Sequence, residues 1–435
     1  MFRRDSASTS PSPRSRWHRR RDRVAAGLLA ACCLVTGLLV WTYSDARGTT
    51  SRTAPAAPEP TGTQQVPTTL RPAWRAQSPE TPEPVTFGST VITANDGAVQ
   101  GRDARDGEVR WQYTRDRRLC TVGAAWSKVL TVYRKGDWCS EVTQLDPATG
   151  QRAAQRNSNA PLGTRLVTDC HYPTLELPAA DTTPTVNTTK RCGYVTTTGE
   201  RLLNTWRDDL VRTAEYGKVP VLVQPGKQPR PDCEHGTVAS AAGRVGVIER
   251  CPDDSHDRLT VYEAVPENAD EPEVVFSTEL DDSAAMLVAM SEEAVAVTMP
   301  DTGSLLRFDM DGNKLQSYEV NTPRATLERH PRNGVVPTSR GTEGVYWYTG
   351  DSTVALSVDD LTPRWTLPDT LGAGTMFAGQ YVVPVTNGLA VLDQDSGDTI
   401  RTVAVNRGAH TGPVTLSANG SVLVEKRADT VVALR

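Results

Sequence analysis

Signatures of metal or nucleophile chemistry are what this 435-residue chain has least of. Its 6 histidines (His18, His171, His235, His256, His330 and His410) never form a His-Glu-x-x-His pair, which excludes the usual helix-borne zinc site. No Gly-x-Ser-x-Gly marks a nucleophile elbow, and no Cys-x-x-Cys marks a zinc or dithiol site. Hydrophobic residues make up 38% and aromatics 6%, a low share that fits short half-buried strands and a polar spacer. Positive charge is lacking almost everywhere except at the amino end. Residues 1–23 carry about +6, which leaves about −11 of the formal −5 on the remainder. Phosphate backbones need a cationic surface, so no nucleic-acid partner is expected.

Long apolar runs are equally scarce, and the single exception is Val24 to Ser44. About 20 uncharged residues suffice to cross the ~30 Å hydrocarbon core as a helix. Arginines crowd its amino-terminal side, so residues 1–23 are expected in the cytoplasm and the rest outside, with Trp41 and Tyr43 at the outer interface. Two rival readings exist. Ser44-Asp45-Ala46 offers a weak signal-peptide cleavage site, although the run exceeds a signal peptide's apolar core. Leu29-Ala30-Ala31-Cys32 resembles a bacterial lipobox, although the chain stays apolar well beyond Cys32. The expectation is a single uncleaved anchor at the cytoplasmic membrane. Residues 45–69, rich in Pro, Thr, Ala and Ser, are expected to form a disordered linker reaching up to about 75 Å. Its threonines are candidate glycosylation sites.

From residue 70 onward the chain repeats itself. An apolar run, Ser89 to Ala94, leads through Asp96-Gly97 into a second strand, and Arg102 to Trp111 (RDARDGEVRW) supplies a turn and a third strand. Trp111 is expected to anchor that strand by burying its ring. The unit recurs as LDPATGQ at 145–151, FDMDGN at 308–313, VDDLTPRW at 358–365 and LDQDSGD at 392–398. Strand-only units at roughly 40-residue spacing predict a β-propeller, whose blades survive by stacking on neighbours.

Asp103, Ala104, Gly107, Glu108 and Trp111 resemble the repeat of PQQ-like β-propeller proteins. That superfamily holds quinoprotein dehydrogenases and also non-enzymatic envelope scaffolds, among them an outer-membrane-protein assembly lipoprotein. The Arg-rich head and Thr/Pro stalk also look like an actinobacterial membrane protein. The resemblance implies the fold but not the cofactor. Quinoproteins hold PQQ against an adjacent-cysteine disulfide, and here the vicinal pair, Cys32-Cys33, lies in the membrane run. Their tryptophan-docking motif is also missing from most repeats. No cofactor and no metal are expected. Asp309, Asp311 and Asn313 have calcium-loop spacing without the closing glutamate, so they are read as a turn.

Seven blades can be laid out in order between residues 85 and 406, the third interrupted by a Pro178–Lys190 loop. Three further strands, Pro413–Ser417, Ser421–Glu425 and Thr430–Leu434, lack a fourth. Pro72-Ala73-Trp74-Arg75 resembles outer strands of other blades, so residues 70–76 are expected to pair with Thr430–Leu434 and close an eight-bladed, all-β ring. Seven blades remain open if the third is an insertion. The six extracytoplasmic cysteines fall two to a blade, which favours Cys120–Cys139, Cys170–Cys192 and Cys233–Cys251. Each would contribute roughly 3 kcal/mol in the chain-entropy model.

The expected function is a membrane-tethered, non-enzymatic binding or assembly scaffold whose partner is an envelope protein or a cell-wall polymer. Two rivals stand beside it, a PQQ- or metal-dependent oxidoreductase with an axial site and a sensor of wall glycan or peptide. Trp126, Trp138, Tyr172 and Trp347 are the candidates for a binding rim, with packing between blades as the plainer reading.

Overall fold

The structure is a computed structural model and describes residues 20–44, 47–58, 62–63, 65–170, 192–219, 227–268, 271–320 and 334–435. It divides into two units, residues 1–50 and 51–435. The first contains one helix, Arg20–Tyr43, long and apolar enough to cross a membrane. Leucine, valine and alanine occupy every side of it, the pattern of a helix solvated by lipid rather than docked by one stripe.

The second unit is an eight-bladed β-propeller. Seven blades are four-stranded antiparallel meanders running outward from the axis, and in each the pairing of the third with the fourth strand is broken by a register shift. The eighth consists of Val414–Asn419, Val422–Arg427 and Thr430–Leu434, completed from the other end of the chain by Pro72–Gln77. Trp74 lies opposite Ala433 and Gln77 opposite Thr430. Paired backbone bonds between Arg71 and Arg435 (2.8 and 2.9 Å) hold one end of the seam. Ser78 holds the other, because its N–H meets the Asp429 carbonyl at 2.7 Å and its carbonyl accepts Lys426 Nζ. The ring closes as the repeat count demanded, and the seven-bladed alternative is excluded.

Apolar side chains gather into eight clusters among the described residues, one in each cleft between neighbouring blades. Both faces of nearly every strand are therefore covered, so each blade depends on two neighbours for its core. The recurring Asp turn joins third and fourth strands. Asp146 accepts the N–H groups of Ala148 (3.1 Å) and Thr149 (3.0 Å), and Gly150 at φ 74° closes back onto the Asp146 carbonyl. Asp393 and Gly397 repeat this arrangement with Asp395 and Ser396.

These turns also receive the next element of packing. Trp111 does not merely bury its ring within its own blade. It crosses to blade two, where its Nε1 donates to the Pro147 carbonyl at 2.9 Å and its ring lies over Gly150. Trp74 makes the same contact on blade one (Ala104 carbonyl, 3.0 Å; Gly107), and Trp365 makes it on blade seven (Gln394 carbonyl, 2.9 Å; Gly397). Phe276 covers Gly312 of blade five. Two other clefts invert the fit. The outer strands Arg152–Ala160 and Lys314–Glu319 bring no tryptophan or phenylalanine, and the receiving turns place buried Leu210 and Leu361 at φ 58° where glycine would stand. A leucine in that conformation is strained by roughly 1–3 kcal/mol. It is held because the leucine fills what the missing ring leaves open.

Two sequence expectations change. The Asp96-Gly97 hairpin puts its positive φ on Asp96 (56°), while Gly97 serves close approach, since a Cβ there would lie 2.3 Å from the Arg115 carbonyl oxygen. The stretch expected as free linker also makes ordered contacts. Strand Thr49–Arg52 joins the outside of blade one's sheet, the Ala54 N–H meets the Thr149 carbonyl at 3.0 Å, and Arg110 Nη2 meets that of Pro55 at 2.7 Å. Val66 and Leu70 are buried beside Val403 and Leu434, and Arg401 donates to the carbonyls of Val66 and Pro67. Blade eight has no covalent turn between its last two strands, so residues 66–71 stop that corner instead. Proline-rich composition ruled out an independent core here but not an extended segment laid on someone else's.

Candidate functional site

A meander exposes two rims. The turn side carries the hairpins after the first and third strands of each blade. The linker side carries the middle hairpins and the connectors between blades. The four residues singled out as a possible rim do not converge. Trp126 lies on the turn side, half-buried, its Nε1 donating to the Gly193 carbonyl at 3.1 Å, so it ties blade two to blade three. Trp138 lies on the linker side and is 47% exposed. Tyr172 is outside the described residues. Trp347 is 0% exposed in the core between blades five and six, which removes it from any rim. Its neighbours are buried as well: Tyr346 stacks on Tyr381 with centroids 3.7 Å apart, and the Tyr348 hydroxyl donates to the Gly350 carbonyl at 2.6 Å. An uninterrupted aromatic run suggests exposure only where one sheet face is wet. Between two blades neither face is.

The ionisable groups that sequence gave no reason to single out form three buried clamps. Glu141 in blade two meets Arg115 and Arg117, each at 2.6 Å. Glu249 in blade four accepts from Tyr216 (2.8 Å), Arg230 (2.9 Å) and Thr260. Glu425 in blade eight accepts from Arg407 (2.8 Å) and Arg427 (2.6 Å), while Arg407 also donates to the carbonyls of Val385 and Gly388. In each clamp one arginine comes from, or adjoins, the connector entering a blade, so the connector is fixed to the sheet it leads into. Replacing one partner leaves a buried charge alone. Glu425→Gln is expected to cost about 3–5 kcal/mol, measured as a lowered urea midpoint.

His235 packs against Tyr216 beside the Glu249 clamp. Its Nδ1 lies 3.1 Å from the Gly199 carbonyl, which assigns the proton to Nδ1, and Nε2 has no partner among the described residues. Burial pushes its pKa below the ordinary 6.5, against the pull of Glu249. The unfolded chain thus takes up a proton, from about pH 6.5 downward, that the folded protein resists. Stability from this group is complete above that value and declines as pH falls through it. Urea midpoints at pH 7.5 and 5.5 should diverge less in His235→Gln than in the parent.

Polar groups on or next to the innermost strands stitch neighbouring blades together. Thr86 and Ser417 hydroxyls meet at 2.7 Å, and Ser339 meets Tyr381 at 2.5 Å. Arg340 donates to the Met290 carbonyl; burial lowers its pKa, and Asp169 attracts it. Asp169 in turn accepts Gly193 N at 2.7 Å and Tyr194 N at 2.8 Å.

Cys120–Cys139, Cys170–Cys192 and Cys233–Cys251 are the three bonded pairs, each within one blade. The sulfurs of Cys233 and Cys251 lie within 4.8 Å of a Glu249 carboxylate oxygen, but bonded to each other they offer no thiolate to a metal. Asp309 spends its oxygens on Asp311 N (3.0 Å), Asn313 N (2.8 Å) and Asn313 Nδ2 (2.9 Å), closing a turn.

Sequence reasoning missed Leu162, a second large exposed apolar side chain on the rim of Trp138. Cys139 pairs in register with Ala160, which brings Leu162, also 47% exposed, to the same rim. Only the sheet register discloses that the two share a rim.

No protein-family model matches the chain, and no curated protein matches it. Solved structures do resemble it. BamB from Moraxella catarrhalis is 14% identical with a TM-score of 0.45, over 84% of this chain and 97% of that one. Sqt1 from Saccharomyces cerevisiae is 10% identical with a TM-score of 0.49, over 84% and 98%. A streptogramin B lyase is 12% identical with a TM-score of 0.42, over 73% and 93%. Likenesses this distant add nothing to the fold, which stands on the strand order itself: an eight-bladed propeller, preceded in sequence by one apolar helix among the described residues.

Proposed function

We propose that this chain is a single-pass protein of the cytoplasmic membrane whose propeller stands outside the cell as a non-enzymatic binding or assembly scaffold of the envelope. In this reading residues 1–23 stay in the cytoplasm, Val24–Ser44 spans the bilayer, and the following stretch tethers the propeller. One observation carries it: a ring stapled by three disulfides follows an apolar helix preceded by arginines. Disulfides persist in oxidising compartments, and the arginines favour the cytoplasmic side. The partner is an envelope protein or a wall polymer.

Crosslinking in cells, followed by identification of what is captured, tests the reading. Recovery of the same envelope partner from independent preparations supports it. Turnover of a substrate with a quinone acceptor by the purified chain, with nothing captured, would replace it with the oxidoreductase reading.

A further inference from the structure

We infer that the cleft between blades one and two holds internal water, bound by the hydroxyls of Tyr113, Tyr133 and Thr143 beside the Glu141 clamp. Three oxygens carry this. Tyr113 lies on the outer strand of blade one (Val109–Arg115), Tyr133 on the second strand of blade two (Lys128–Lys135) and Thr143 on its third (Trp138–Leu145). All three side chains are buried, and none of their hydroxyls has a partner among the described residues. Taking a hydroxyl out of water without giving it a bond is costly, so a group of such orphans calls for an explanation.

The sheet register gathers them. Within blade two Tyr133 stands opposite Glu141 and Thr131 opposite Thr143, and these four share the face turned to blade one. Thr131 donates to the Thr143 carbonyl at 3.2 Å and stands near the Tyr133 hydroxyl without meeting it in bonding geometry. From blade one, the Tyr113 ring centroid is 6.3 Å from that of Tyr133, and Arg115 Cζ is 5.9 Å from the same ring. Burial pushes the Tyr133 pKa up and the Tyr113 hydroxyl adds to the rise, while Arg115 acts against it, as expected of groups around one small space.

Chemistry chooses the occupant. Glu141 disfavours an anion there, and Arg115 with Arg117, each 2.6 Å from that glutamate, disfavours a cation. Hydroxyls both donate and accept, so a neutral molecule that does both is what joins them. The rest of the cleft is lined by an apolar cluster, where a larger polar molecule would meet no further partner. Water fits, since a buried water makes about three hydrogen bonds. The cleft between blades three and four shows the same parts in direct contact. Tyr216 stacks on Tyr262 with centroids 4.6 Å apart and planes within 4°, and its hydroxyl donates to Glu249 at 2.8 Å. In the first cleft the rings are splayed by 56°, and neither hydroxyl reaches Glu141. A bridging oxygen closes that gap. The inference concerns the ring alone and holds wherever the ring stands in the cell.

Urea unfolding of Tyr113→Phe and Tyr133→Phe, together with a crystal structure of the full chain in detergent, tests this. Phenylalanine keeps the ring and deletes one oxygen. With water bound, each change strips it of a partner, and the unfolded-to-folded ratio at a fixed urea concentration should rise about fivefold. With a dry cleft, deleting the hydroxyl relieves a desolvation cost, and the ratio should fall. The crystal should show an ordered oxygen within about 3.2 Å of both tyrosine hydroxyls, and Tyr133→Phe should weaken or lose its density. Any one of three results overturns the inference. The first is a ratio that falls in either variant. The second is a cleft whose tyrosine hydroxyls bond each other directly with no density between them. The third is an anomalous signal at the site after bromide exchange, which assigns it to an anion. The crystal structure decides even where a variant folds too poorly for unfolding to be measured.

Discussion

Trp111→Ala is expected to destabilise the propeller by about 3–5 kcal/mol, the range for emptying a fully buried tryptophan site. The ring is 0% exposed, bonds the Pro147 carbonyl, and covers Gly150, so its loss opens the cleft between blades one and two and leaves a carbonyl unpaired. Gly150→Ala attacks the same contact from the other side. A methyl group there would fall 2.6 Å from the indole, on a backbone at φ 74° that an L side chain resists. That pair of faults should cost about 2 kcal/mol or more. The two changes share one contact, so they should not add. In Trp111→Ala/Gly150→Ala the clash is gone and only the backbone strain remains, so the double variant should lie closer to Trp111→Ala than the sum. Urea unfolding of the four proteins measures this coupling. Full additivity would mean that the ring and the glycine do not depend on each other.

The second large effect concerns the seam. A chain lacking residues 1–78 loses the outer strand of blade eight, the Trp74 contact on blade one and the stopper formed by Val66 and Leu70. Blade eight would then present strand Thr430–Leu434 as a bare edge, with the neighbouring apolar cluster of Val422, Val424, Val431 and Ala433 part-opened. Every core in this ring lies between blades, so opening one seam removes support from two. The expected result is aggregation or an expanded species on size-exclusion chromatography. A synthetic peptide covering residues 65–78 should restore a compact monomer when added during refolding. A truncated chain that stays monomeric with an unchanged urea midpoint would show the strand to be dispensable.

The repeat, the seam and the cysteine pairing were all legible in the sequence, because each follows from local spacing: Asp and Gly at fixed offsets, Pro-Ala-Trp echoing Pro-Arg-Trp, and two cysteines in each of three blades. The exposed surface was far less legible. Trp347 stood as a rim candidate beside the plainer reading of packing between blades, and the plainer reading holds, because alternation along a strand reports exposure only when one face of the sheet is wet and here both faces meet another blade. Tryptophan 111 was read as serving its own strand, because sequence gives no direction in which a ring leaves its sheet. The arginines of the three clamps gave no signal. Arg407 and Glu425 are 18 residues apart, one on a connector and one on the second strand of the blade it enters, and only the course of that connector brings them together. Leu162 could be placed on the same rim as Trp138 only once the strand register was known.

Gln77 and Thr430, bonded across the seam, are 353 residues apart. During synthesis at about 5–20 residues per second, the first of these strands waits roughly 20 to 70 s before its partner exists. For that interval Pro72–Gln77 is an orphan edge looking for any strand to join. Its own composition is the safeguard: Pro72 cannot donate to a ladder, and Arg71 and Arg75 charge its flanks, so mispairing is discouraged until the proper mate arrives. Birth of the wheel is therefore a single late event, and what sets its timing is the length of the message between two short words at its ends.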